Sequence, residues 1–306
     1  MVSALPSFAD ALAAGPVVLD GGLSQQLESA GHDLSDALWS ARLLAEDPEA
    51  VVRAHLAFYE AGAQVAITSS YQATFEGFAR RGTGRDEAAA LLARSVELAR
   101  DAARRATAGG AAGPLFVAAS AGPYGAMLAD GSEYRGRYGL SVGELERFHR
   151  PRLEVLAAAR PDVLALETVP DADEARALLR AIRGLGTPAW LSYSIEGGRT
   201  RAGQPLDEAF AVAADVDEVI AVGVNCCAPQ DVDRAVETAA RVTGKPVVVY
   251  PNSGERWDAR ARTWCGTAAF RADQVAGWAA AGARLIGGCC RVGPEVIAGL
   301  AAQLRR

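Results

Sequence analysis

Eight short apolar runs recur along the 306 residues of this chain, and a polar–apolar pattern of helical period separates each from the next. They are Pro16-Val17-Val18-Leu19-Asp20, Val65-Ala66-Ile67-Thr68, Leu115-Phe116-Val117-Ala118, Val163-Leu164-Ala165-Leu166-Glu167, Ala189-Trp190-Leu191-Ser192-Tyr193, Val222-Gly223-Val224-Asn225, Val247-Val248-Val249-Tyr250 and Leu285-Ile286-Gly287. Runs that are apolar throughout, rather than alternating, are what a parallel sheet covered by helices requires. The intervening segments have helix signals. Asp47-Pro48-Glu49 opens one whose Val52, Leu56 and Tyr59 recur at helical spacing, and residues 86–105 form a longer one with Leu92, Val96 and Ala99 on one face. Eight strand–helix repeats with nothing left over predict an α/β fold, a (β/α)8 TIM barrel, as a single domain spanning residues 1–306.

Loop lengths point the same way. The long irregular stretches, about residues 21–47, 121–140 and 252–269, follow strand ends, whereas helix-to-strand connections such as Thr243-Gly244-Lys245-Pro246 are short. In a barrel the loops after the strands build the active face. That face is expected to carry Asp20, Tyr71, Glu167, Asn225, Cys226, Asn252, Cys289 and Cys290.

The net charge of −6 and pI near 5.3, with no run of Lys and Arg interleaved with aromatics, argue against a nucleic-acid surface. No stretch reads as a membrane span, and Met1-Val2-Ser3-Ala4-Leu5 lacks the basic and apolar parts of a signal peptide, so a cytoplasmic protein with small-molecule partners is expected. All five cysteines, Cys226, Cys227, Cys265, Cys289 and Cys290, fall in the last third. In a reducing compartment such clustering favours metal binding or catalysis over cross-links.

One free cysteine is most often a small buried hydrophobe. Three at the ends of two barrel strands weigh the other way, toward a metal held by Cys226, Cys289 and Cys290. Cys227 is the alternative to Cys226, and Cys265, in a long loop, is not expected to be a ligand. Adjacent side chains of a strand alternate faces, so the reading that Cys289 and Cys290 both point inward relies on Gly287-Gly288 adopting unusual dihedrals. Zn2+ with three thiolates is formally anionic, a poor activator of water but a good site for ionising an incoming thiol. The chemistry implied is transfer of an electrophilic carbon to a thiol.

Asp20-Gly21-Gly22, Gly223-Val224-Asn225-Cys226 and Gly287-Gly288-Cys289-Cys290, in that order at strand ends, resemble the homocysteine S-methyltransferase family. Glu167-Thr168, Tyr250-Pro251-Asn252 and the segment between Trp39 and Pro48 extend the likeness over essentially the whole chain. The resemblance implies one zinc on Cys226, Cys289 and Cys290, homocysteine as methyl acceptor and methionine as product. Asp20 and Glu167 match the acidic positions that hold homocysteine in the family, where a carboxylate takes the amino acid's ammonium. Thr168 stands where the betaine-using branch has a tyrosine, which favours a sulfonium donor, S-methylmethionine or S-adenosylmethionine. Trp39 and Tyr71 supply aromatic faces for such a cation, and Asn225 and Asn252 complete the expected substrate contacts.

Other protein classes share parts of this pattern. A betaine- or selenohomocysteine-directed relative shares the motifs, and a non-enzymatic zinc or thiol sensor would use the same cysteines but has no need of Asp20 and Glu167. An aldolase or sugar-phosphate barrel would use Gly287-Gly288 and a helix opening near Pro294. Schiff-base chemistry is disfavoured because the one lysine, Lys245, lies before strand seven, and His32, His55 and His149 are scattered outside the strands.

Overall fold

The computed structural model of the chain describes residues 6–35, 38–258 and 263–305. The N-terminal reading on residues 1–5 and the middle of the 252–269 loop lie outside them.

The eight apolar runs form eight parallel strands: β1 (Val17–Val18), β2 (Val65–Ile67), β3 (Phe116–Ala121), β4 (Val163–Val169), β5 (Ala189–Tyr193), β6 (Val219–Asn225), β7 (Val247–Tyr250) and β8 (Ala283–Ile286). Their order in the sheet is β1-β8-β7-β6-β5-β4-β3-β2. A parallel bridge between Leu19 and Val65, with Asp20 N donating to Val65 O at 3.0 Å and Gln64 N to Val18 O at 2.7 Å, joins the two edges. The sheet thus rolls into the expected (β/α)8 barrel.

Alternation along each strand separates two cores. Val163 and Ala165 of β4 point into the barrel with Leu19, Val65, Phe116 and Val248, while Leu164 and Leu166 point out against the helices. Helix Phe8–Ala14, started by a capping box between Ser7 and Asp10, closes the barrel's base. Its Phe8 packs edge-on against Phe116, ring centroids 5.1 Å apart. On the outside, helix Pro48–Glu60 has Pro48 in its first turn and the Asp47 carboxylate accepting from Ala50 N at 3.0 Å. Leu92, Val96 and Ala99 of helix Arg85–Ala108 are fully buried, each of the larger two contributing about 1.5–3 kcal/mol of apolar burial.

The long post-strand segments contain more structure than their sequence pattern shows. Residues 39–46 form the turn Trp39–Arg42 and the short helix Leu43–Glu46, and the loop after β3 contains helix Tyr124–Leu128 and the turn Ser132–Tyr134. Elements of three to five residues are too short to display a helical period. Small hairpins pair Ile195–Glu196 with Arg199–Thr200 and Arg256–Asp258 with Thr263–Cys265. Lys245 Nζ donates to Val216 O and Val219 O, both at 2.7 Å, at the base of β6 and far along the strand from its Asn225 end. Among the described residues no helix is long and apolar enough to cross a membrane.

Candidate active site

At the C-terminal mouth of the barrel the sulfur atoms of Cys226, Cys289 and Cys290 all lie within 4.8 Å of one another, with Cys226 and Cys290 3.7 Å apart. Cys226 follows β6 with a left-handed φ of 49°. That turn sends it to the mouth while Cys227 goes into the outer core, fully buried. The choice between the two is therefore made by the backbone, in favour of Cys226. Cys265 ends the short hairpin strand Thr263–Cys265 and is not in the cluster.

The Gly287-Gly288 pair works differently from the expectation. Neither residue has a positive φ; the left-handed residue of this turn is Arg291, at 62°. What the pair supplies is the absence of Cβ atoms. A Cβ on Gly287 would lie 2.7 Å from Asp20 O, and one on Gly288 2.2 Å from Val292 Cγ1. From the other side, Cβ atoms on Gly21 and Gly22 would lie 2.2 Å from Val292 O and 2.7 Å from Cys289 O. The Asp20-Gly21-Gly22 turn and the cysteine turn thus interlock. Gly288 N donates to Asp20 O at 3.0 Å, Cys289 N to Pro251 O at 2.8 Å and Cys290 N to Asn252 Oδ1 at 3.2 Å, so the end of β7 holds the cysteine turn as well.

Hydrogen bonds from Cys289 and Cys290 lower Cys226 well below the ordinary thiol range, assisted by Tyr134 and by the charge of Arg201. Donating to Cys226 holds the other two thiols well above it.

Two carboxylates face the same mouth. Asp20 is 1% exposed; its Oδ2 accepts from Ile67 N at 2.8 Å and its Oδ1 has no partner. Glu167 accepts from Ser120 Oγ. Burial pushes Asp20 well above the usual carboxylate range, and the charge of Glu167 adds to the rise. Burial likewise pushes Glu167 up to about 7 against the hydrogen bonds from Ser120 and Tyr250, with the charge on Cys226 adding to it. An ammonium placed between two buried carboxylates that repel each other would relieve both the repulsion and the unpartnered oxygen.

A family model described as homocysteine S-methyltransferase matches residues 17–304. Homocysteine S-methyltransferase 4 of Zea mays is 46% identical over 96% of this chain and 90% of its own. The homocysteine S-methyltransferase of Escherichia coli K12 is 46% identical over 94% of each. The chain belongs to the homocysteine S-methyltransferase family. The solved structure of the E. coli homocysteine methyltransferase MmuM in its metallated form superposes with a TM-score of 0.85 at 45% identity, over 94% of this chain and 96% of that one.

Within this family member, β4 and β6 are tied together beside the thiols. The β4–β5 register shifts between Leu166 and Val169, a bulge that places Glu167 and turns Thr168 to a left-handed φ of 58°. A β-branched residue there is strained. Asn225 holds it: Asn225 Oδ1 accepts from Thr168 N at 2.7 Å and from Ser192 Oγ at 2.9 Å, and its Nδ2 donates to Thr168 Oγ1 at 2.7 Å. Ser192 Oγ in turn lies 2.8 Å from the Tyr250 hydroxyl, which also accepts from Trp190 Nε1 at 3.1 Å.

Of the expected aromatics, Tyr71 is half-buried, with its ring against Gly122, where a Cβ would lie 2.5 Å from it. Burial raises Tyr71 well above the usual phenol range, with the charge of Glu133 the next contribution. Trp39 begins its turn at a φ of 47° and is 37% exposed. The loop after β3 brings residues that sequence reasoning missed. The Tyr134 hydroxyl lies 3.2 Å from Cys226 Sγ, and the Arg201 guanidinium stacks over the Tyr134 ring at 5.7 Å. Arg201 also bonds Ser194 Oγ, whose hydroxyl donates to Cys226 O at 3.2 Å. The sequence signal for Tyr134 is faint: an aromatic in a long post-strand loop, with no motif around it.

Proposed function

We propose that the whole chain acts as one unit, a cytoplasmic zinc enzyme that moves a methyl group from a sulfonium donor, S-methylmethionine or S-adenosylmethionine, to the thiol of L-homocysteine, giving methionine. One observation carries this: three thiols within 4.8 Å share the barrel mouth with Glu167, which feels the charge of Cys226, and with Asp20, a buried carboxylate with a free oxygen. That pairing matches the sulfur and the ammonium of one amino acid.

The donor set fits zinc. Tetrahedral zinc–thiolate bonds of about 2.3 Å place sulfurs roughly 3.8 Å apart, and Cys226 and Cys290 stand at 3.7 Å. The metallated form of the E. coli relative supports a metal here. Cys226, Cys289 and Cys290 would hold the ion, which when bound would favour the thiolate of a sulfur reaching its open position.

Asp20 and Glu167 would receive the homocysteine ammonium and orient its sulfur toward the thiols. Asn225 and Asn252 would act from the same rim, Asn252 through the Cys290 turn and Asn225 through Thr168, its second N–H remaining for substrate. The acceptor sulfur attacks the methyl carbon in line. A new S–CH3 bond forms as the sulfonium bond breaks, its electron pair leaves with the departing thioether, and the acceptor's thiol proton passes to solvent. Trp39 and Tyr71 would offer aromatic faces to the donor cation.

Replacing Cys289 with alanine tests the assignment. Zinc content should fall and transfer from both sulfonium donors should be lost; full zinc with undiminished transfer would sink it. Betaine tested in parallel should serve as no donor.

A further inference from the structure

A third carboxylate stands at the mouth, and the acceptor has no use for it. Glu133, in the turn Ser132–Tyr134, is 7% exposed, and its Oε2 is buried without a hydrogen-bond partner. Among the described residues it has no ion pair; the nearby Arg201 is engaged with Glu196, Ser194 and the Tyr134 ring. A buried carboxylate in this condition calls for a counter-charge.

Its placement is built. Asp130 Oδ1 accepts from Ser132 N at 3.0 Å, Gly131 takes a φ of 81°, and Gly125 lies so close beneath that a Cβ there would be 2.4 Å from Glu133 N. The same turn puts the Tyr134 hydroxyl 3.2 Å from Cys226 Sγ. Glu133 and Glu167 both act on Tyr71 and both feel Cys226, so the two flank the thiols, Glu167 from the end of β4 and Glu133 from the turn that carries Tyr134. By element, Asp20 and Glu167 stand together at strand ends, where Glu167 raises Asp20, and Glu133 stands apart from them in the Tyr134 turn after β3.

We propose that Glu133 is the specificity-determining counter-charge for the sulfonium of the methyl donor. This rests on the methyl-transfer reading above. A sulfonium has no N–H to donate, so it needs a bare carboxylate and aromatic faces, which Glu133, Tyr71 and Tyr134 supply together. The role has a kinetic signature. The positive charge is full on the bound donor and gone from the product thioether, so the attraction favours the bound reactant and weakens as the methyl moves. Glu133 works on donor affinity and adds nothing to the chemical step.

The test uses zinc-loaded full-length enzyme and the better of the two sulfonium donors. In Glu133→Gln the donor KM should rise about tenfold or more, with kcat undiminished and with homocysteine KM and zinc content as in the wild type. With homocysteine saturating, methionine should inhibit against the donor equally in both enzymes, because it lacks the sulfonium charge. Glu133→Asp, which keeps the charge, should recover most of the donor affinity. A donor KM within about twofold of the wild type, or equal weakening toward donor, methionine and homocysteine, overturns the assignment. A wild type that transfers no methyl from either sulfonium refutes the methyl-transfer reading itself.

Discussion

Removing the Asn225 side chain should cost more than its small size suggests, and should disable acceptor binding without removing a thiol. Asn225→Ala deletes three buried hydrogen bonds of 2.7, 2.7 and 2.9 Å and leaves Thr168 N–H and Ser192 Oγ without their acceptor. At about 1 kcal/mol net for each bond, with a further 1–3 kcal/mol for a buried group left unsatisfied, the loss should be about 4–6 kcal/mol. Thr168, at a φ of 58°, would then relax toward the ordinary region and carry Glu167 with it. Thr168→Ala is the control, since it keeps the bonds to Asn225 Oδ1, removes only those of the Thr168 hydroxyl, with Asn225 Nδ2 and Tyr71, and should cost about 1–2 kcal/mol. Urea unfolding of both variants, zinc analysis and homocysteine KM make up the assay. The expected pattern is retained zinc, a large stability loss and a raised homocysteine KM in Asn225→Ala, with small effects in Thr168→Ala. Equal stability losses in the two variants would refute the clamp.

Other expectations are shorter. Methionine carries the acceptor's ammonium without a free thiol, so its binding reads the two carboxylates alone, of which Glu167 is raised by burial to about 7. Only the ionised carboxylate attracts the ammonium, so affinity should rise about tenfold between pH 6 and pH 8 and lose that slope in Glu167→Gln. For the free protein the sign reverses: from pH 4.5 to about 7 the fold holds a proton that the unfolded chain has released, so Glu167 lowers stability as pH rises through that window. Cys227→Ala should leave zinc binding intact and lower stability by about 1–2 kcal/mol, whereas Cys226→Ala should abolish binding. Gly288→Ala should lose both stability and zinc, because its new methyl meets Val292 at 2.2 Å; wild-type zinc content would show that the turn has room.

The barrel was legible because each strand is buried on both faces, so eight uniformly apolar runs announced themselves between amphipathic helices. The thiols were legible because cysteine is rare and its positions are strand ends. What was hidden depends on single backbone torsions and close approaches. Nothing in Cys226-Cys227 says which thiol faces the mouth; a φ of 49° at Cys226 decides it. The glycine pair was rightly singled out for a conformational reason that does not hold, since close packing and torsional freedom leave the same mark on a sequence. Glu133 and Tyr134 belong to a three-residue turn inside a long loop, where neither period nor motif marks them.

The interlock of the Asp20 turn with the cysteine turn also sets an order of assembly. Cys289 and Cys290 sit 63 and 64 residues after Cys226, and their turn is shaped by glycines at positions 21, 22, 287 and 288, so the first and last strands must meet before the third thiol is in place. A chain emerging from the ribosome N-terminus first brings the three thiols together only after residue 290 has been made and β8 has paired with β1. The three-thiol cluster is thereby a product of barrel closure rather than of any one strand-loop unit.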